Sequence, residues 1–171
     1  MSAPSGSLMV ADTHALLWYL LDPELLSAVA RDAFECAVDS RSGILVSAVT
    51  LIELVYISEK RSDSIDSATL RDVLAVLDEA DSPIDAAPVT TEVTRRIASI
   101  ERSHVRDPFD RAIVATAQAA GTQLITKDRL LTEHFASLAA PFRRHQPAGS
   151  RGSGGSCYTV VHVVADQRAL S

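Results

Sequence analysis

Long apolar runs are missing from this chain. No uninterrupted hydrophobic stretch approaches the roughly 20 residues that cross a bilayer, and no basic segment followed by an apolar one opens the sequence. A cytoplasmic protein without a membrane anchor is therefore expected. Cysteine is scarce: Cys36 and Cys157 are the two, far apart and in unlike contexts. That excludes a disulfide framework or a thiolate zinc site, and fits a reducing compartment. Aromatic residues are only 5% of the chain against 47% hydrophobic residues overall. The core must then be built from Leu, Ile, Val and Ala, as suits helices packed on a sheet, and an extensive platform for stacking bases is excluded. A basic excess is absent too, since 16 Lys and Arg face 22 Asp and Glu for a net charge of -6. Coating nucleic acid by bulk electrostatics is thereby disfavoured.

The charge is unevenly placed. Glu59 to Glu92 holds nine acids and three bases, which accounts for the whole net charge of -6 and leaves the rest neutral. Between Arg95 and Arg111 the sign reverses, with Arg95, Arg96, Arg102, Arg106 and Arg111 outnumbering Glu101, Asp107 and Asp110. A local basic rim beside an acidic site is expected. A length of 171 residues is that of one domain with a real core and little room for a second.

Short apolar runs alternate with helical periodicity. Leu8–Ala11 reads as a buried strand ending at Asp12, and His14–Leu21 as a helix broken by Asp22-Pro23. Ser27–Val38 is helical with Ser27 as N-cap, Ile44–Val46 is a second buried strand, and Ser47 opens a helix through Ile57. Further helices are expected over Ser67–Asp78 and Thr90–Ile100, with a short strand at best around Pro83–Pro88. Asp107 and Pro108 start the next helix, Ala112–Ala120 is its Ala-rich body and Gly121 closes it. Gln123–Thr126 is another strand, followed by a helix over about Asp128–Phe135. This order implies a three-layer α/β/α fold around a central parallel sheet with right-handed crossovers, whose ligands bind beyond the carboxyl ends of the strands.

Asp12, Glu53, Asp110 and Asp128 are the candidate catalytic residues, because such a sheet brings all four to one edge. Acids gathered there repel one another unless a divalent cation lies between them, and magnesium takes oxygen ligands, usually one or two carboxylates with several waters. Such an ion can polarise a phosphoryl oxygen and make hydroxide available near neutral pH, so hydrolysis of phosphodiesters needs no covalent nucleophile. Each acid also has a plainer reading. Asp12 and Asp128 suit N-caps, Glu53 a solvated helix face, and Asp107 and Asp110 the positive end of a helix macrodipole. Of the last two, Asp107 is the better cap and Asp110 the better ligand. His14 and His104 lack partners at zinc-site spacing and are read as non-catalytic. Thr126 is read equally as strand surface or as a hydrogen-bond partner of a coordinated water.

The order of Asp12, Thr50-Leu51-Ile52-Glu53, Asp107-Pro108-Phe109-Asp110-Arg111-Ala112-Ile113-Val114-Ala115-Thr116-Ala117 and Thr126-Lys127-Asp128 resembles a PIN domain. It looks most like the VapC-type toxins of bacterial toxin-antitoxin modules, over about Leu8 to Phe135. The individual motifs are weak, but their joint order and spacing are specific. The resemblance implies an endoribonuclease dependent on Mg2+, with Mn2+ as an alternative, held inactive by a cognate antitoxin and commonly dimeric. Asp12 and Asp110 would be the principal metal ligands, Glu53 and Asp128 would complete the cluster and position the nucleophile, and Arg111 would touch the RNA backbone. Two other readings stay open. One is a non-catalytic scaffold that joins an antitoxin to bind promoter DNA. The other is a receiver-type phosphoacceptor domain, which Ser47 disfavours by standing where the phosphoacceptor Asp belongs.

The end of the chain departs from the pattern. A nuclease unit over residues 1–145 is expected, followed by residues 146–171 as a linker and tail. Gly149–Ser156 reads as a flexible connection, and the β-branched run Tyr158–Val164 as either an edge strand or an appended tail. The tail is favoured, since a long structureless connection inside a compact domain is uncommon.

Overall fold

A computed structural model describes residues 8–39, 42–60, 65–128, 131 and 160–162. Five strands are present among them: β1 (Met9–Ala11), β2 (Ile44–Ser47), β3 (Ile84–Ala87), β4 (Gln123–Thr126) and β5 (Val160–His162). The helices are α1 (Thr13–Leu21), α2 (Ala28–Asp39), α3 (Ala48–Glu59), α4 (Ser67–Asp78), α5 (Thr91–Ser99) and α6 (Pro108–Ala120). A 3-10 turn at Pro23–Leu25 separates α1 from α2, where Asp22-Pro23 was expected to break the helix.

Side chains start these helices where the sequence offers short oxygen acceptors. Ser27, Ser47, Asp66, Thr90 and Asp107 each accept a hydrogen bond from a main-chain N–H in the first turn that follows. α6 ends at Gly121, whose φ of 67° is the left-handed cap that a residue without Cβ adopts at no steric cost.

The sheet runs β3-β2-β1-β4-β5 and every pairing is parallel. Met9, Val10 and Ala11 lie opposite Ile44, Leu45 and Val46 on one side, and Gln123, Leu124 and Ile125 on the other. Because side chains alternate across a strand, each residue type is assigned to one of two cores. Met9, Ala11, Ile44, Val46 and Ile125 face a cluster containing Leu16, Phe34, Leu54 and Val73 from α1 to α4. Val10 and Leu124 face the opposite cluster, with Val93, Ile113, Val114 and Ala117 from α5 and α6. Tyr19 stacks on Phe34 at 4.3 Å between ring centroids, tying α1 to α2. The result is the expected three-layer α/β/α sandwich.

From β1 the chain first builds outward through β2 and β3, then returns to the other side of β1 for β4. The reversal lies between β1 and β4, and at such a switch point the carboxyl ends of neighbouring strands diverge and leave a crevice. Asp12 follows β1 and Lys127-Asp128 follow β4, so all three stand at its mouth.

One expectation is corrected and one falls outside the described residues. Val160–His162 pairs in parallel with Leu124–Thr126, so the edge-strand alternative holds over the tail that was favoured. The physical reason is that β4 would otherwise end the sheet with a row of unpaired main-chain N–H and C=O groups. The helix expected over Asp128–Phe135 lies mostly outside the described residues, as do Gly149–Ser156 and Cys157; Leu131 is helical.

Candidate active site

The crevice is a cavity of about 230 Å³ lined by Asp12, Thr13, His14, Glu53, Asp107, Asp110, Ile113, Lys127 and Asp128. Four separate elements deliver its acids: β1 leads into Asp12, α3 carries Glu53, the start of α6 carries Asp107 and Asp110, and β4 leads into Asp128. Asp12 is buried, at 7% exposure, and both its carboxylate oxygens are held: Oδ1 accepts from the Ala15 N–H at 2.6 Å and Oδ2 from the Lys127 N–H at 3.0 Å. The first bond caps α1, and the second ties the ends of β1 and β4 together. The Asp12 N–H in turn donates to the Ile125 carbonyl at 2.9 Å. Capping and site-facing were posed as alternatives for Asp12, and a single carboxylate does both.

Glu53 projects from the second turn of α3, where the Thr13 hydroxyl donates to its Oε2 at 2.5 Å. That bond crosses from α1 to α3 and aims the carboxylate into the crevice. Asp107 caps α6 by accepting from the N–H groups of Phe109 at 2.8 Å and Asp110 at 3.2 Å. Asp110 itself stands in the first turn of α6. Asp128 has its N–H donated to the Thr126 hydroxyl at 3.0 Å, and its Oδ1 accepts from the Leu131 N–H at 3.4 Å. Thr126 is fully buried, so it is neither strand surface nor free to meet solvent; it shapes the turn that presents Asp128.

Crowding shows in the proton affinity of Asp110, whose pKa is pushed up to about 7 from the ordinary 3.8. Burial is the largest cause, followed by the charges of Asp107, Asp128, Glu53 and Asp12. Dehydration and like charge both disfavour the ionised carboxylate, and a group so perturbed in a crevice is a candidate for function. His14 is pushed the other way. Burial and the neighbouring Lys127 lower its pKa, against weaker opposite pulls from Asp12 and Glu53. The imidazole is thus neutral near pH 7.

The donor set suits a hard divalent ion, being carboxylate oxygens with no thiol among the lining residues. Among the described residues no group of three or more acidic, thiol or imidazole side chains is placed to hold a metal ion together.

Three comparisons agree with this architecture. The PIN domain family model matches residues 9–134, which takes in β1 to β4 and all of the crevice. The chain belongs to the PIN domain family. Ribonuclease VapC22 of Mycobacterium tuberculosis is 31% identical to it over 126 residues, covering 74% of this chain and 91% of that protein. Among solved structures, VapBC2 from Rickettsia felis bound to a promoter DNA fragment has a TM-score of 0.55 at 14% identity, covering 74% of this chain and 92% of that one. DNA-bound VapBC from Salmonella typhimurium gives 0.52 at 21% identity, covering 73% and 90%. At those identities the two structures attest the shared fold.

In this PIN-domain chain, Asp12, Glu53, Asp110 and Asp128 all line one cavity. Asp107, read from sequence as the better cap, lines it too, and its charge raises the Asp110 pKa more than that of any other acid there. Its position three residues before Asp110 at one helix end was the signal. Thr13 went unremarked, although its place beside Asp12 puts it at the same mouth. The expectation for Arg111 is corrected. Its guanidinium donates to the carbonyls of Ile97 at 2.7 Å and Ile100 at 3.0 Å, so it closes the end of α5 and does not face the crevice. Arg96 is likewise engaged, pairing with Glu92 at 3.0 Å. Arg95 pairs with the same Glu92 at 3.6 Å, so the basic rim reduces to exposed residues such as Arg102 and Arg106.

Proposed function

We propose that this protein is a metal-dependent endoribonuclease that hydrolyses RNA phosphodiester bonds, the toxin of a type II toxin-antitoxin pair acting in the cytoplasm. The observation that carries this reading is the convergence of Asp12, Glu53, Asp110 and Asp128 on one crevice, with Asp110 pushed up to about 7 by burial and by the acids around it. The 31% identity to a ribonuclease supports the reaction class. Among the described residues no helix is long and apolar enough to cross a membrane.

Asp12 and Asp110 are the residues that would hold Mg2+ or Mn2+, with Glu53 and Asp128 completing the shell through water. When bound, the ion supplies positive charge at the phosphoryl group and acidifies water. The chain's own contribution is order. Asp12 is fixed by two main-chain donors and Glu53 by Thr13, so neither carboxylate needs to reorganise during the reaction. Glu53 then serves as proton acceptor for the attacking water, and Asp128 helps to orient it. Residues 1–145 form the catalytic unit, and residues 146–171 add an edge strand without a catalytic role. A cognate antitoxin and a second copy of the chain are the expected protein partners. The exposed apolar side chains Ile52, Val55 and Tyr56 on α3, beside Glu53, are the surface that favours such association.

The test is cleavage of RNA by purified protein freed of antitoxin, with magnesium or manganese, with EDTA, and in Asp12→Asn and Asp110→Asn. Cleavage that needs the metal and disappears in both variants supports the proposal. Retained cleavage in both removes the site. Metal-independent affinity for promoter DNA without any cleavage would favour the scaffold reading instead.

A further inference from the structure

We propose that Lys127, seated over the indole of Trp18 at the lip of the carboxylate crevice, binds a backbone phosphate of the RNA strand beside the linkage being cut. The inference rests on the nuclease reading and names a substrate contact for it.

An RNA strand entering the crevice meets five carboxylates, those of Asp12, Glu53, Asp107, Asp110 and Asp128, and a single ammonium, that of Lys127. A polyanion is repelled by such a surface unless cations are placed to receive it. Among the described residues Arg96 and Arg111 do not fill that role, being committed to Glu92 and to the end of α5, and no arginine lines the crevice. Lys127 is exposed, and its ammonium lies 5.4 Å from the centroid of the Trp18 ring. That is a cation–π seat. Among the described residues no carboxylate lies within ion-pair distance of Lys127, despite the acids around it. The seat therefore holds the side chain without neutralising it, and leaves the N–H donors to a phosphate.

Both halves of the seat are anchored independently. The Lys127 main-chain N–H donates to Asp12 at 3.0 Å, which sets where its side chain begins relative to the site. Trp18 is half-buried on α1, and the edge of its ring system meets His14, one turn earlier, at 6.5 Å and 68°. His14 lines the same crevice. Holding a long flexible side chain in place before substrate arrives lowers the ordering cost of the contact.

Trp18 is the single tryptophan of the chain, so its fluorescence reports on this seat directly. The experiment titrates the wild type, Lys127→Ala and Lys127→Arg with a short oligouridylate in calcium, the strand being checked for integrity afterwards, over a range of salt. Alanine keeps the main-chain bond to Asp12 and removes only the side chain. The expected result is binding weakened about tenfold in Lys127→Ala, the loss typical of a charge-assisted hydrogen bond. The slope of log affinity against log salt should become shallower by about 0.7, one single-strand phosphate contact. Arginine should restore both to near wild type, and the emission of unliganded Lys127→Ala should shift as the ammonium leaves the indole. Trp18→Phe, followed by anisotropy of labelled RNA, should keep the salt slope while weakening affinity less than Lys127→Ala.

Equal affinity and equal salt slope in wild type and Lys127→Ala, or no binding by the wild type, overturns the inference. Cleavage in magnesium is read separately. If the wild type cleaves and Lys127→Ala matches its KM, the inference fails and the nuclease reading stands. If the wild type binds through Lys127 but never cleaves, the nuclease reading fails and the contact stands.

Discussion

The two ends of the sheet both carry a cavity with acids, and only one of them has the makings of a site. At the amino ends of β2 and β3 lies the larger space, about 640 Å³, lined by Val38, Ser42, Gly43, Asp81, Ser82, Pro83 and Asp85. At the carboxyl ends the crevice is about 230 Å³. Asp81 and Asp85 are exposed, so water screens their charges, whereas Asp12 is buried and Asp110 is driven to about 7. Volume is therefore a poor guide here. What separates the two ends is carboxylates from distant parts of the chain being brought together and partly dehydrated, which local capping alone does not require.

The largest expected difference between the ends is in catalysis. Asp12→Asn and Asp110→Asn should each lower RNA cleavage by at least about a hundredfold, as loss of a metal-holding carboxylate does. Asp81→Asn and Asp85→Asn should leave it within about twofold, as surface substitutions away from a site do. Equal losses from both ends in a cleavage assay would erase the comparison.

Metal stabilisation should follow the same division. An ion that binds the folded chain at a hundred times its Kd adds about 2.7 kcal/mol. Thermal unfolding with and without saturating magnesium should show that gain in the wild type and in Asp81→Asn, and lose most of it in Asp110→Asn. A gain surviving in Asp110→Asn would move the ion to another place.

Asp110 also makes the carboxyl end sensitive to pH when metal is removed. Its folded pKa, about 7, lies above the ordinary 3.8, so between those values the folded chain keeps a proton that the unfolded chain has released. More protons are bound in the folded state, and stability must fall as pH rises through that window. The contribution is fully present below about 4 and gone above about 7. In EDTA, the denaturation midpoint of the wild type should decline from pH 4.5 to 7.5 more steeply than that of Asp110→Asn, which should be the more stable protein at pH 7.5. A parallel course for the two would show that Asp110 is not crowded.

Most of this fold was readable from the chain, because the strands are short apolar runs and the helices begin at Ser27, Ser47, Asp66, Thr90 and Asp107, residues that cap for local reasons. Local signals stop at the tertiary contacts. Nothing near Val160–His162 reveals that β4 has an open edge to cover, and the chain between them is long enough to argue the other way. The family resemblance implied a phosphate contact for Arg111, but one step along a helix from Asp110 turns a side chain by about 100°, here toward the carbonyls at the end of α5. The acids were legible as a set. Thr13 as the donor that aims Glu53, and Lys127 as the partner of Trp18, depend on α1 meeting α3 and β4, which no spacing encodes.

The smallest effect separates cap from charge at Asp107, which acts in both capacities. Asp107→Ala removes the acceptor of the Phe109 and Asp110 N–H groups and should cost about 1 kcal/mol. It also removes a charge that raises the Asp110 pKa. Asp107→Asn keeps an acceptor nearly as good at that position while removing the same charge. Relief of repulsion appears only where Asp110 is ionised, so in EDTA above pH 7 the Asn variant should equal or exceed the wild type in stability, and near pH 4 it should differ little. The Ala variant should fall below Asn by a similar amount at both pH values, since a neutral cap does not titrate. Asn and Ala behaving alike across the range would mean that Asp107 contributes charge and no cap. A pH-independent loss in Asn would mean that its carboxylate matters to the helix and leaves Asp110 untouched.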